Sequence, residues 1–206
     1  PYPRSAEYLL ALSGTSQQQE NCIFKRLPQT LSQSQAEGLA GFLESNGLTE
    51  RHKGITKYHG LDHVDDCFYL IRDKSSRRCL MDVLDSAPFS DRAVESLVIQ
   101  IAQNLGSQQP HGAIHPGNIF VDMTRVSSQE LRFGTVELTD YFIDQIKEYL
   151  ASLNQEFQTQ YMSTVGLNPD YIPQGRAVRE RTIRDTYGLA AVAFELLTGR
   201  PTDFPE

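Results

Sequence analysis

The sequence has no apolar run approaching the ~18 residues that a membrane span needs, and no signal-peptide pattern near its start. That excludes a membrane-inserting segment from these 206 residues and predicts a cytoplasmic protein, or the cytoplasmic domain of a larger one. Positive charge is in deficit: 19 Lys and Arg stand against 26 Asp and Glu, a formal net charge of −7. A general nucleic-acid or anionic-membrane binder needs the opposite balance. Cysteine is scarce too. Cys22, Cys67 and Cys79 show no Cys-x-x-Cys spacing, and each sits in or beside an apolar stretch, so they read as buried thiols in a reducing compartment. The histidine pairs His59/His63 and His111/His115 have i, i+4 spacing, but a zinc pair of that kind needs a helix. Gly60 breaks up the first, and Gly112, Pro116 and Gly117 the second. No internal repeat and no low-complexity tract beyond Gln17–Gln19 is visible, and a start at Pro1 reads as a piece excised from a longer protein.

What remains is an ordinary globular composition, 39% hydrophobic and 22% charged, long enough for one large domain or two small lobes. After an irregular start at residues 1–7, Tyr8–Leu12 and Cys22–Leu27 read as a β-hairpin across a loop-forming SGTSQQQEN. Leu39, Phe42, Leu43 and Leu48 give an approximate helical stripe over Gln35–Leu48, ended by Gly47. Three strands are predicted at Gly54–His59, Asp66–Arg72 and Cys79–Leu84, followed by a linker at Asp85–Ser90. Asp91–Leu105 has a clean apolar face of Val94, Leu97, Val98, Ile101, Ala102 and Leu105, with Ser90 placed to cap it. A strand is predicted near Leu131–Leu138 and an amphipathic helix over 141–161. Asp185–Thr198, apolar nearly all round, reads as a helix central to its lobe and stopped by Gly199 and Pro201.

The densest chemistry lies in His111-Gly-Ala-Ile-His-Pro-Gly-Asn-Ile-Phe-Val-Asp122, a polar loop running into a short buried strand. This stretch resembles the protein kinase catalytic loop, His-Arg-Asp-x-Lys-Pro-x-x-Asn. It is closer to the His-Gly-Asp-x-His-Pro-x-Asn form of aminoglycoside- and choline-kinase-like enzymes. Val136-Glu-Leu-Thr-Asp140-Tyr-Phe sits where those enzymes carry Asp-Phe-Gly, and His52-Lys-Gly-Ile-Thr-Lys-Tyr-His-Gly60 resembles the segment after kinase helix C. Pro169-Asp-Tyr-Ile-Pro-Gln174 loosely resembles the Ala-Pro-Glu segment, and Asp185-Thr-Tyr-Gly-Leu to Pro201 is similar to kinase helix F. Five motifs in the correct order point to the fold more strongly than any one of them.

The resemblance, over about residues 7–205, implies an α+β, bilobal protein kinase-like fold. Residues 1–85 would be a small β-rich N-lobe and residues 86–206 a mainly helical, shortened C-lobe ending after helix F. It also implies roles. Lys25 would anchor phosphates with Glu44 as its partner, and Asn118 and Asp140 would hold magnesium for ATP. His111 and Tyr141 would pack in the core, and Asp185 would cap the catalytic-loop backbone. Two departures stand out. The segment before Tyr8 has no glycine to cover phosphates, and Ala113 occupies the place of the catalytic aspartate. His115 accompanies that aspartate in related enzymes and does not replace it. The leading expectation is therefore a pseudokinase, not an enzyme, that engages another protein through its acidic surface or the helix after Asp140. A second is an ATP- and magnesium-binding domain with residual or atypical transferase activity. A third is an active kinase trapped by an engineered change to alanine at Ala113.

Overall fold

A computed structural model describes residues 22–26, 31–64, 67–106, 110–126, 131–141, 143–153, 169–173 and 180–201. The expected strand Tyr8–Leu12, the segment where a phosphate-covering loop would fall, and the end of the helix predicted over 141–161 lie outside the described residues. The chain divides into two compact units, Pro1–His52 with Thr56–Ser75 and Gln145–Gly166, and Lys53–Ile55 with Ser76–Asp144 and Leu167–Glu206. Among the described residues no helix is long and apolar enough to cross a membrane.

In the first unit, β1 (Cys22–Arg26), β2 (Tyr58–Val64) and β3 (Cys67–Asp73) form an antiparallel sheet in the order β1-β3-β2. β3 is rich in aromatic and branched side chains suited to a pleated surface, and its Phe68, Tyr69 and Leu70 are buried with Ile23 and Phe24 of β1. The strand predicted at Gly54–His59 lies four residues further on. Gly54 has φ +72°, which turns the chain there, and the polar sequence of β2, YHGLDHV, hides its strand character. Helix α1 (Gln33–Ser45) starts at a capping box in which the Gln35 N–H donates to Ser32 Oγ and the Ser32 N–H to Gln35 Oε1. It buries Ala36, Leu39 and Leu43 and ends before Gly47, whose φ is +66°. Tyr149 of helix α3 (Ile143–Leu153) stacks on Phe42 of α1 with ring centroids 4.7 Å apart, and Ile146 and Leu150 are buried.

In the second unit, β4 (Arg78–Cys79), β5 (Ile119–Arg125) and β6 (Leu131–Leu138) form an antiparallel sheet in that order. Of the strand predicted at Cys79–Leu84 only Cys79 lies in the two-residue β4, and a 3₁₀ turn follows over Leu80–Ser86. Leu80 and Val83 are buried three residues apart, the period of a 3₁₀ turn, while Met81 between them is exposed. Cys22 and Cys79 are half-buried free thiols, less enclosed than their apolar flanks suggested. Helix α2 (Asp91–Gly106) buries Ala93, Val94, Leu97 and Ile101, and Ser90 Oγ accepts the Ala93 N–H at 3.4 Å. Helix α4 (Arg181–Thr198) begins four residues before Asp185 and stops at Gly199, with φ +67°. Its Asp185, Gly188, Ala191, Val192 and Leu196 are buried, but Ile183, Phe194 and Leu197 are each 40% exposed. It is a one-sided helix, not one buried all round. The described residues are mixed α/β with two small antiparallel sheets, an arrangement compatible with a kinase-like fold.

Candidate functional site

In the second unit, β5 and β6 pair with Ile119 opposite Leu138. The residue before β5 and those after β6 therefore meet at one end of that hairpin. The Thr139 N–H donates to the Asn118 carbonyl at 2.9 Å, and Asp140 follows immediately. Asn118 and Asp140 are both buried. The Asn118 side-chain amide donates to the Ala113 carbonyl at 3.0 Å, leaving Asn118 Oδ1 as its acceptor. Asp140 has φ +55°, a left-handed conformation that aspartate tolerates better than most side chains.

The loop between α2 and β5 is held from α4. Asp185 takes the His111 N–H on Oδ2 and the Gly112 N–H on Oδ1, both at 2.7 Å. Gly112 has φ +79°, which lets two successive amides face one carboxylate. Burial pushes the Asp185 carboxyl above the usual range, while the charge interaction with His111 and the two amides act in the opposite direction. Two accepted N–H bonds are the pattern of the ionised form. One turn along α4, Gly188 lies against the loop so closely that a Cβ there would sit 2.3 Å from the Ile114 carbonyl oxygen.

His111 is wholly buried. Its Nε2 bonds the Thr139 carbonyl at 2.9 Å and its Nδ1 accepts the Ala113 N–H at 3.2 Å, which assigns the proton to Nε2 in the neutral ring. Burial lowers its pKa, outweighing the upward pull of Asp185, the Thr139 carbonyl and Asp140. The ring meets Tyr141 edge-on at 4.9 Å, and burial raises the Tyr141 hydroxyl, with Asp185 adding to the effect.

Ala113 is buried and offers only a methyl group. His115 Nδ1 accepts the Gly117 N–H at 3.1 Å, which caps the 3₁₀ turn Pro116–Asn118. The nitrogen that would have to take a proton as a base is therefore engaged. The His115 ring lies 6.2 Å from Tyr171, whose hydroxyl donates to Glu195 of α4. In the first unit Lys25 is buried in the middle of β1, opposite Leu70, whereas Glu44 is exposed on α1. Among the described residues no ion pair joins Lys25 to Glu44.

Sequence reasoning missed several participants. Thr139 and the Tyr171–Glu195 contact leave no trace in local pattern. Gly188 does leave one, since a glycine inside a helix costs about 1 kcal/mol against alanine and so points to close packing.

No family model matches the chain. It is similar to the serine/threonine-protein kinase PrkC of Bacillus subtilis (strain 168), with 27% identity over 158 residues covering 72% of this chain. The chain spans only 22% of that protein's length. The likeness supports a kinase-like relationship. It also overturns the expectation that the chain is not an enzyme, because the similar protein is itself named a kinase.

Proposed function

We propose that the chain is a kinase-like domain that binds ATP with magnesium and transfers the terminal phosphoryl group by an atypical route, without a carboxylate base at position 113. One observation carries this reading: the Thr139–Asn118 backbone bond brings two buried hard-oxygen donors, Asn118 Oδ1 and the Asp140 carboxylate, to one end of a hairpin. That donor set suits magnesium. Bound with the nucleotide, magnesium would neutralise phosphate charge. Lys25 would anchor phosphates from a β-rich lobe, and residues 86–206 would form the second lobe. The loop would be of the aminoglycoside- and choline-kinase-like type, with His111, Tyr141 and Asp185 holding its shape.

Phosphoryl transfer passes through a loose transition state, so positioning and electrostatics supply most of the catalysis. Losing a general base costs about 10²–10⁴-fold in rate and leaves the remainder intact. His115 does not restore it, since Nδ1 is occupied by the Gly117 amide. The test is a thermal shift with ATP, with and without magnesium, followed by turnover. At a hundredfold excess over Kd, binding adds about 2.7 kcal/mol of stability. Asp140→Asn should remove the magnesium-dependent part of that shift, and Ala113→Asp should raise turnover by about 10²-fold or more. Absence of any shift in the unaltered chain, or no gain in Ala113→Asp, would sink the proposal.

A further inference from the structure

A second group of chemically capable side chains lies in the first unit: Cys22, His59 and Asp73, one from each strand of the β1-β3-β2 sheet. Cys22 opens β1 and pairs directly with Asp73 at the end of β3. Directly opposed residues of an antiparallel pair share a face, so the thiol and the carboxylate stand together. His59 reaches the same place through an irregularity. The β2–β3 register runs from Tyr58 opposite Arg72 to Gly60 opposite Ile71, which leaves His59 as the extra residue of a bulge. A bulge re-aims a side chain that regular alternation would send elsewhere. Here it brings His59 Nε2 to 2.6 Å from Asp73 Oδ1.

We infer that Cys22, His59 and Asp73 form a three-ligand site for a borderline divalent metal ion of the zinc class. The three ligand atoms lie within 4.8 Å of one another. In a tetrahedral zinc site, bond lengths of about 2.0–2.3 Å place ligand atoms about 3.3–3.7 Å apart. Reaching that spacing takes side-chain adjustments on the order of 1 Å: the His59–Asp73 pair opens and the thiol closes in. A sulfur, nitrogen and oxygen set selects zinc or cobalt over magnesium or calcium, which take oxygen alone.

The surroundings support this. Arg51 Nη2 sits 3.5 Å from Asp73 Oδ2, the other carboxylate oxygen, and so orients the group while leaving Oδ1 for the metal. The Asp73 backbone is fixed by its N–H bond to the Lys57 carbonyl at 2.9 Å. Burial and the Asp73 charge raise the Cys22 thiol pKa, so metal binding near neutrality releases the thiol proton to solvent as the sulfur–metal bond forms. With three protein ligands and partial exposure of His59 and Asp73, the fourth position falls to water.

The experiment is titration of the whole chain with cobalt(II) alone, followed by displacement with zinc(II). One equivalent should bind, with the thiolate-to-cobalt charge-transfer absorption and the visible bands of four-coordinate cobalt. Cys22→Ser should abolish the charge-transfer absorption, and His59→Gln should weaken binding at least tenfold. Cys79→Ser should leave both unchanged, since the Cys79 thiol already donates to the Pro116 carbonyl at 3.4 Å. Circular dichroism confirms that each variant is folded. Because Cys22 and His59 are partly exposed, their loss leaves the core intact. Cobalt that binds without thiolate absorption, or with affinity indifferent to both Cys22→Ser and His59→Gln, would overturn the inference. So would no binding at all.

Discussion

Asp185→Asn tests whether one buried carboxylate holds the loop at residues 111–113. The aspartate accepts two main-chain amides at 2.7 Å from a helix whose other buried residues are Arg184, Gly188, Ala191, Val192 and Leu196. Asparagine keeps one acceptor oxygen and turns an NH₂ donor towards the second amide. The lost charge-assisted bond is worth about 1.5–3 kcal/mol, and a buried N–H left facing another donor costs about 1–3 kcal/mol more. Against this, asparagine carries no charge. Burial disfavours the ionised aspartate, as its raised pKa shows, so the substitution recovers part of that desolvation. The net loss should be about 2–3 kcal/mol, or roughly a 1 M fall in the urea midpoint at unchanged slope. Amide exchange supplies the local readout: the His111 and Gly112 N–H groups should exchange faster than neighbours in α2. A stability within about 0.5 kcal/mol of the original, with protection at both amides retained, would refute the argument.

Gly188→Ala should destabilise the chain by about 1–2 kcal/mol, although alanine is the better helix former by about 1 kcal/mol. The added methyl would sit 2.3 Å from the Ile114 carbonyl oxygen, and backbone must shift to admit it. Urea unfolding decides this, and equal or higher stability would count against the close contact. His111, followed by imidazole NMR shifts, should stay neutral below the ordinary histidine value of about 6.5, because burial lowers its pKa. The sign follows from linkage. The unfolded chain takes up the proton first, so the contribution is whole above the ordinary value of about 6.5 and is lost as the pH falls towards the folded value. A His111 that titrates at or above that ordinary value would contradict the buried neutral ring.

Where burial follows a simple period, the sequence was readable. α2 was found within a residue because its apolar positions recur on one face and Ser90 caps it, and β6 was found at both ends. The errors came where two periods compete. Leu80-Met-Asp-Val-Leu84 has strand-like composition, yet the buried pair is three apart, and only tertiary packing selects the 3₁₀ turn. β2 was misplaced because Gly60 and a bulge interrupt the alternation that identifies strands. For α4, composition overstated burial: apolar residues fill most of its length, but Ile183, Phe194 and Leu197 remain on the open side.

The site shows the same limit more sharply. Motif order brought Asn118, Asp140 and Asp185 to notice, but the bonds that assemble them run through main-chain atoms of Thr139, His111 and Gly112, which side-chain motifs do not encode. The geometry also separates two histidines that looked alike in the loop. His111 takes a main-chain amide on Nδ1 and bonds a carbonyl through Nε2, a fully used ring with a depressed pKa. His115 also spends Nδ1 on an amide, but on the amide of its own turn, so its ring sets the turn that presents Asn118. Neither is poised to accept a proton from a substrate hydroxyl. With Ala113 inert between them, any transfer at this loop depends on how Asn118 and Asp140 are held. The two backbone-level devices that hold them, the Thr139–Asn118 bond and the Asp185 clamp, are therefore better targets than the histidines for asking what the loop still does.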